Sequence, residues 1–219
     1  MSTVRVIRDI LDANDRIAKD NAKLFARSGV FVVNLMSSPG AGKTTLLERT
    51  IEKLAGRLRI GVIEGDIQSS VDAERIERHG VKAVQINTGG ACHLDGNMIR
   101  DALDEFDLDA LDLLVVENVG NLVCPAEFQV GEDMKAMLLS VAEGDDKPLK
   151  YPLMFQQSRA LVINKIDLLP YVNCSVEAIE QRAKALREDI AIFQVSCTKG
   201  DGLDAWAAWL AAQVASKRG

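Results

Sequence analysis

The chain has 219 residues, of which 47% are hydrophobic, and this length and composition suffice for one sizeable core. It carries 26 basic and 32 acidic residues, for a net charge of −6, and its lysines and arginines form no basic cluster of the kind that binds nucleic acid. No apolar run approaches the roughly 20 residues of a membrane span, and the N-terminus lacks the pattern of a signal peptide. The sequence therefore predicts a cytoplasmic protein with no nucleic-acid or membrane partner.

The predicted elements begin with an amphipathic helix over residues 4–27, where apolar side chains recur at helical spacing until a Ser-Gly pair interrupts them. Short β-branched runs then alternate with helical stretches. The predicted strands are 31–36, 59–64, 82–86, 112–118, 160–164 and 191–195. The predicted helices are 44–55, 71–79, 93–105, 131–142, 175–188 and 203–216. This alternation favours βαβ units around a mostly parallel sheet, with the polar residues 143–152 as a surface connection.

Residues 37–45, directly after the first strand, have the composition of a phosphate-binding loop. A glycine-rich turn between a strand and a helix presents successive backbone N–H groups to a polyphosphate. We expect Lys43 to neutralise the β- and γ-phosphates and Thr44 to ligate Mg²⁺. Ser37 stands where the usual pattern has glycine, which is a mild departure. The predicted phosphate-contacting residues are Gly40, Ala41, Gly42, Lys43, Thr44 and Thr45.

The phosphate loop makes the predicted fold an α/β P-loop NTPase, a three-layer sandwich with a mostly parallel central sheet. Residues 1–29 form the N-terminal amphipathic helix packed on this domain, and residues 30–219 form the domain itself. Ligands of such sheets bind outside the carboxyl ends of the strands. Motifs that follow the other strands are therefore expected at the same crevice.

Residues 164–167, Asn-Lys-Ile-Asp, end a hydrophobic strand and predict a guanine site. The Asp167 carboxylate can accept hydrogen bonds from N1–H and the exocyclic amine of guanine, whereas adenine has no matched donor pair. We expect Asn164 to contact the base and tether the phosphate loop, and the stem of Lys165 to lie across the ring. The loop after the last strand is expected to reach the guanine O6, through Ser196, Cys197 and Lys199.

Hydrolysis of a nucleoside triphosphate needs Mg²⁺ and a group that contacts the γ-phosphate. Asp66 ends the second strand and is predicted to reach the Mg²⁺ shell. Asp72 could join that shell when its segment closes over nucleotide, although a helix-capping role explains it equally well. Glu117 and Gly120 follow the fourth strand, which favours an acid near the metal and a backbone N–H near the γ-phosphate. With Lys43, these four residues are the predicted catalytic set.

Cys92, His93 and Cys124 follow the third and fourth strands, so adjacent loops could bring two thiolates and an imidazole together. Sulfur and imidazole ligands suit Zn²⁺ or Ni²⁺ far better than Mg²⁺. Three ligands leave one coordination position open, which fits a transferable metal or a site completed by a second chain. The alternative is that these cysteines are buried as small apolar side chains. Cys174 has no ligand partner nearby in the sequence.

Together these motifs resemble the HypB family of GTPases, which helps to deliver nickel during [NiFe]-hydrogenase maturation. The motifs that carry the resemblance lie at 38–45, 64–66, 87–95, 117–125 and 164–167. The resemblance implies GTP, Mg²⁺ and Ni²⁺ or Zn²⁺ as cofactors, slow GTP hydrolysis and a GTP-dependent homodimer. It implies that Cys92, His93 and Cys124 of two chains meet near the interface. It also implies a nickel-donor metallochaperone and the hydrogenase large subunit as partners.

The chain departs from the family pattern in two places. Residues 1–30 contain neither His nor Cys, whereas many members have a metal-rich N-terminal extension, so nickel storage is not expected. Asn97 and Asp101 stand where some relatives have additional histidines, which leaves the number and identity of the bound metals open.

Several rival functions remain at this point. A urease accessory GTPase similar to UreG is disfavoured because its motif is Cys-Pro-His rather than Cys92-His93, and a GTPase chaperone of cobalamin enzymes does not explain Cys124. An adenosine-specific kinase is disfavoured by Asp167. From a different class, a non-catalytic scaffold would bind metal and use nucleotide only to stabilise a dimer.

Overall fold

The computed structural model describes residues 6–66 and 71–218. The strands are β1 (Phe31–Ser37), β2 (Ile60–Asp66), β3 (Lys82–Asn87), β4 (Leu113–Glu117), β5 (Met134–Ser140), β6 (Ser158–Asn164) and β7 (Ala191–Gln194). The helices are α1 (Val6–Ser28), α2 (Lys43–Leu54), α3 (Val71–Glu77), α4 (Gly96–Leu103), α5 (Cys124–Glu127), α6 (Lys147–Lys150), α7 (Pro152–Gln157), α8 (Val176–Leu186) and α9 (Leu203–Arg218).

The strands form one parallel sheet in the order β3-β2-β4-β1-β5-β6-β7. Every residue of β1, β4 and β5 is buried, as expected when helices cover both faces of a parallel sheet. Because all strands run in the same direction, their carboxyl ends lie along one edge. This edge carries the loops that contain the predicted site residues.

Alternate residues of the sheet contribute to separate apolar clusters on its two faces. Val33 and Leu35 pack with residues of α2 and α9 on one face. Val32 packs with residues of α1 and α4 on the other face, where Met36 packs with residues of α7 and α8. This arrangement is a sheet between two helical layers, and the predicted three-layer α/β fold is therefore confirmed.

Helix α1 is joined to the domain by two buried asparagines. Asn21 Nδ2 donates to the carbonyl oxygens of Gly96 (2.8 Å) and Val130 (3.1 Å). Asn14 Oδ1 accepts from the Gly96 N–H at 2.8 Å, and its Nδ2 donates to the Gln129 carbonyl at 2.8 Å. These bonds satisfy backbone groups at the first residue of α4 and in the segment before β5 at once. Residues 4 and 5 of the predicted helix lie outside the described residues.

The predicted helix over 131–142 is wrong, because Met134–Ser140 is β5, an interior strand of the sheet. Its Met, Lys, Ala and Leu residues have high helix propensity, but burial on both faces between β1 and β6 overrides that preference. The predicted surface connection at 143–152 contains helix α6, whose Pro148 is buried. Helix α7 follows it and was not predicted.

Candidate functional site: a nucleotide cavity and a thiolate-imidazole cluster

A cavity of about 410 Å³ opens at the carboxyl ends of β1, β2 and β4. Nine predicted residues line it: Gly40, Gly42, Lys43, Thr44, Thr45, Asp66, Asp72, Glu117 and Gly120. The sequence motifs that suggested phosphate and magnesium binding therefore meet in one place, as the strand-end rule requires. Glu64 and Arg75 also line the cavity, and neither was predicted.

The phosphate loop joins β1 to α2, which begins at Lys43. The first-turn N–H groups of a helix have no helical acceptors and attract anions. Lys43 Nζ donates to Ser37 Oγ at 3.1 Å, and Ser37 Oγ donates to the Ser38 carbonyl at 2.6 Å. Ser37 stands where the usual motif has glycine, and its hydroxyl holds the lysine ammonium beside the loop.

The motif at 164–167, for which a guanine site is predicted, contacts the phosphate loop directly. Asn164 Nδ2 donates to the Ala41 carbonyl at 3.0 Å, and Lys165 Nζ donates to the Gly40 carbonyl at 2.7 Å. Lys165 has a φ of 62°, the only positive φ of a non-glycine residue among those described. This conformation costs about 1–3 kcal/mol in general and persists where surrounding bonds fix it. The expected tether between Asn164 and the phosphate loop is thus present.

The side chain of Asp167 is held by the loop after β7. Ser196 Oγ donates to Asp167 Oδ1 at 2.6 Å, and Ser196 Oγ accepts from the Lys199 N–H at 3.1 Å. The Cys197 N–H donates to Asn164 Oδ1 at 3.3 Å. Three of the predicted base-contacting residues, Ser196, Cys197 and Lys199, therefore lie beside the Asn164–Asp167 motif. A carboxylate has about four acceptor positions, so Asp167 retains capacity for further donors.

Two buried carboxyl groups form the floor of the cavity. Glu64 on β2 lies opposite Glu117 on β4 in the sheet register. Thr44 Oγ1 donates to Glu117 Oε1 at 3.0 Å. Glu64 Oε1 and Glu117 Oε2 are buried and have no hydrogen-bond partner among the described residues. Buried oxygens of this kind are expected to have a ligand, and the oxygen-rich set suits Mg²⁺.

Burial and the facing negative charge of Glu117 raise the pKa of Glu64 to about 10. Burial also raises the pKa of Glu117, while the Lys43 ammonium and the Thr44 hydroxyl act in the opposite direction. A divalent cation at these oxygens would favour the ionised forms of both groups.

Helix α3 brings two more charged side chains to the cavity. Asp72 Oδ1 accepts from Arg75 Nη1 at 3.1 Å, and Arg75 also binds Glu48 with Nη2 to Oε2 at 2.6 Å. The segment between Asp66 and this helix, residues 67–70, lies outside the described residues. Asp72 is thus at the cavity wall and paired with a cation.

Gly120 lies against the phosphate loop. A Cβ atom at this position would be 2.9 Å from Cα of Pro39, closer than real Cβ contacts. Only glycine allows this approach of the two backbones without a shift. The contact places the loop after β4 at the predicted γ-phosphate end of the cavity.

Cys92, His93 and Cys124 form a compact cluster beside the cavity, with ligand atoms within 4.8 Å of one another. The two sulfur atoms are 3.1 Å apart, and Cys92 Sγ lies 3.7 Å from His93 Nδ1. Burial lowers the pKa of His93 and raises the pKa of the Cys124 thiol. A neutral imidazole is the form that binds metal. Two sulfurs and one nitrogen suit Zn²⁺ or Ni²⁺.

The backbone around this cluster is fixed by neighbouring groups. The His93 ring packs against Phe128, with ring centroids 3.9 Å apart and ring planes tilted by 36°. The buried ammonium of Lys135 on β5 donates to the carbonyls of Pro125, Ala126 and Phe128, each at 2.9 Å. These bonds cap the end of α5, the short helix that starts at Cys124. The three ligand side chains therefore project from anchored loops.

Comparison with known proteins agrees with the geometry. A profile of the CobW/HypB/UreG nucleotide-binding domain matches residues 31–194. The hydrogenase maturation factor HypB of Azotobacter vinelandii is 50% identical over 210 residues, which cover 96% of this chain and 69% of that protein. The chain belongs to the HypB family.

Solved HypB structures from two organisms share the fold. The protein from Archaeoglobus fulgidus is 40% identical, with a TM-score of 0.87 over 93% of this chain and 99% of that one. HypB from Helicobacter pylori, solved in complex with nickel, has the same identity and TM-score over 93% and 96% of the two chains. The domain profile does not separate HypB from UreG, but the whole-chain relatives named HypB do. The resemblance to the HypB family is confirmed.

The structure brings together the residues predicted for each part of the site, and it adds several that the sequence did not indicate. Glu64 belongs to the 64–66 motif that carries the family resemblance, but the sequence assigned a role there only to Asp66; an acid within an otherwise apolar strand was a usable signal. From the sequence, Ser37 was noted only because it replaces the first glycine of the phosphate-loop pattern, and its bond to Lys43 was not predicted. None of the helices formed by the described residues combines the length and apolarity that a membrane crossing needs.

Proposed function

We propose that this chain is a GTP-hydrolysing metallochaperone that assists nickel delivery during [NiFe]-hydrogenase maturation. One observation carries the proposal: the cluster of Cys92, His93 and Cys124 lies on the sheet edge that holds the phosphate loop. Relatives named hydrogenase maturation factor and the nickel complex of the H. pylori HypB protein support it. Nucleotide and metal would then occupy adjoining loops of one rigid sheet.

GTP is the nucleotide that the site fits best. Ser196 holds one oxygen of the Asp167 carboxylate, and the remaining acceptor positions of this carboxylate match the N1–H and amine donors of guanine. Asn164 and Lys165 fix the phosphate loop through its carbonyls, which leaves the loop N–H groups for phosphate oxygens. Hydrogen bonds therefore connect the predicted base subsite directly to the phosphate loop.

Mg²⁺ fits the acidic end of the cavity. Four carboxyl groups, those of Glu64, Asp66, Asp72 and Glu117, line the cavity, against two cationic side chains among the described residues. A triphosphate would be repelled there without a cation. Thr44 and Asp66 would hold the ion, and Glu117 orients the Thr44 hydroxyl. When bound, Mg²⁺ neutralises charge that develops on the transferring phosphate.

Catalysis of phosphoryl transfer consists mainly of positioning and charge stabilisation. Lys43, oriented by Ser37, supplies a fixed positive charge at the β- and γ-phosphates. The Gly120 backbone N–H, next to Pro39 of the phosphate loop, supplies a donor for a γ-phosphate oxygen. Asp72 is paired with Arg75 and would approach the ion if its segment closes. The family resemblance implies slow hydrolysis. A slow rate fits a site that alternates between a GTP-bound and a GDP-bound state.

The metal cluster provides three ligands and leaves one coordination position open, which suits an exchangeable cargo ion. We propose that GTP promotes a homodimer in which a second chain completes this site. A nickel-donor metallochaperone and the hydrogenase large subunit are the proposed partners in the cytoplasm. Residues 1–29 would act as a helical extension of the GTPase domain at 30–219.

The test is nickel affinity in two nucleotide states, combined with phosphate release. We expect the Kd for Ni²⁺ to differ at least fivefold between GDP and a non-hydrolysable GTP analogue, since coupling energies of about 1–3 kcal/mol correspond to roughly 5–150-fold. Thiolate-to-nickel charge-transfer absorption reports the cluster specifically, in excess Mg²⁺. Sizing in both states reports the dimer.

Two results would contradict the proposal. Equal nickel affinities together with equal oligomeric states would remove the coupling between nucleotide and metal. Nucleotide-dependent nickel binding without phosphate release from GTP would favour the non-catalytic scaffold instead.

The Cys124→Ala variant should bind Ni²⁺ at least roughly 100-fold more weakly, because even the loss of a group that supports a ligand costs about 10–100-fold. Cys174→Ala is the matched control, since Cys174 is also a free, half-buried cysteine but lies outside the cluster. Titration followed by charge-transfer absorption measures both variants. Unchanged nickel affinity in Cys124→Ala would remove this residue from the ligand set.

A further inference from the structure

Asn118 lies at the end of β4, between the cavity and the metal cluster, and its side chain is 1% exposed. Its Oδ1 accepts two backbone hydrogen bonds, from the Val119 N–H and from the Leu94 N–H, each at 3.0 Å. Val119 precedes Gly120 in the γ-phosphate loop, and Leu94 follows His93 in the metal loop. One amide oxygen therefore holds the backbones of both loops.

The opposite side of the Asn118 amide is fixed to the sheet. Its Nδ2 donates to Asn34 Oδ1 at 3.1 Å, and Asn34 Nδ2 donates to Glu132 Oε1 at 3.3 Å. Asn34 is fully buried on the central strand β1. Because the donor and acceptor sides of the Asn118 amide are both engaged, its orientation is determined. Its oxygen is a fixed point to which the two loops are attached.

Leu94 also connects the metal loop to the acidic end of the cavity. Its buried side chain packs on Gly65, where a Cβ atom would lie 2.7 Å from Leu94 Cδ1. Gly65 separates Glu64 from Asp66 at the end of β2. Leu94, the neighbour of His93, is thus held by its N–H to Asn118 and by its side chain to the strand that carries the proposed magnesium residues.

We propose that Asn118 is the positioning residue that couples the γ-phosphate end of the cavity to the metal cluster. The assignment rests on the proposed function, because it names the contact through which nucleotide changes nickel affinity. A ligand shifts an equilibrium only through contacts that differ between two states. When Gly120 moves to donate to a γ-phosphate oxygen, the Val119 N–H moves with it. Because both N–H groups share this one oxygen, a change in the bond from Val119 alters the bond from the Leu94 N–H and, with it, the position of His93.

The test compares the nickel Kd with GDP and with the GTP analogue in wild type, Asn118→Ala and a matched control. In wild type, we expect the two nickel Kd values, with GDP and with the GTP analogue, to differ at least about fivefold. In Asn118→Ala, we expect them to differ by less than about twofold. Each ratio of the two Kd values is measured with both nucleotides at saturating concentration, because Asn118 also lines the cavity and its loss can change nucleotide affinity. Charge-transfer absorption should show that the thiolate ligands still bind nickel.

Asn21→Ala is the control because Asn21 is another buried asparagine that contacts the metal-side loops. Its amide binds the carbonyls of Gly96 and Val130, but none of its hydrogen bonds among the described residues reaches 118–120. It should weaken nickel binding equally in both nucleotide states, if at all, and so keep the ratio. Asn118→Ser, whose shorter side chain loses the bond to Leu94 with less packing loss, gives the same test if Asn118→Ala fails to fold.

The outcomes separate the assignment from the proposed function. A wild-type ratio of one overturns the coupling itself and, with it, the role of Asn118. A normal wild-type ratio that persists in a folded Asn118→Ala or Asn118→Ser variant overturns only the assignment. A ratio that collapses equally in Asn21→Ala also overturns it, because general loosening of the metal loops would then explain the loss.

Discussion

Replacement of Lys43 by alanine is expected to reduce GTP hydrolysis by about 100- to 1000-fold, the usual effect of removing one pre-positioned charge-stabilising group. The ammonium is held by Ser37 at 3.1 Å, at the first turn of α2, and no other cation of the described phosphate loop can replace it. Steady-state phosphate release with saturating GTP and Mg²⁺ measures the effect.

Lys53→Ala is the matched control, because Lys53 lies on the same helix and pairs with Asp204 at the surface. A surface pair of this kind contributes about 0–1 kcal/mol, so hydrolysis by this variant should be unchanged. Full activity in Lys43→Ala would show that hydrolysis takes place elsewhere or belongs to a contaminant.

The Asp167→Asn variant should bind GTP at least roughly 100-fold more weakly. Two hydrogen bonds to a charged group contribute about 1.5–3 kcal/mol each, and every 1.4 kcal/mol changes affinity about tenfold. Xanthosine triphosphate carries an oxygen in place of the guanine amine, so the asparagine amide can donate to it. The same variant should therefore prefer the xanthine nucleotide, which competition against a fluorescent GDP analogue would measure.

Asp189→Asn is the control for this change, since Asp189 is an exposed acid that pairs with Arg187 away from the cavity. It should leave both affinities at wild-type values. If Asp167→Asn binds GTP normally, the base is recognised by other groups and the choice of guanine over adenine loses its main support.

Much of the site was predictable because parallel strands end at one edge. The rule places the loops of Lys43, Cys92 and Cys124 together without any contact information. It also accounts for the correct prediction that Asn164 reaches the phosphate loop, because both lie at strand ends. Each motif is a short contiguous segment that can be recognised in the sequence. The fold then places these segments together at the carboxyl ends of the strands.

The parts that were missed depend on pairing between strands. Helix propensity misassigned Met134–Ser140, because burial between two strands is a property of the sheet and not of the segment. Glu64 matters through its register with Glu117, and Asn118 through two N–H groups, one of them 24 residues away in sequence. Such partners become visible only when the strand order is known.

Lys135 has a consequence for any redesign of the metal cluster. Its ammonium donates to three backbone carbonyls of α5 and of the residue that follows it, beside Cys124, and it contacts neither the sulfur nor the imidazole. Ligand side chains could accordingly be exchanged, for instance histidine for cysteine, over a backbone whose course is set independently. An apolar residue in place of Lys135 would instead leave two buried carbonyls and one half-buried carbonyl without this donor, at about 1–3 kcal/mol for each buried one. The ligand side chains, which determine the bound metal, can therefore be changed independently of the backbone conformation, which Lys135 stabilises.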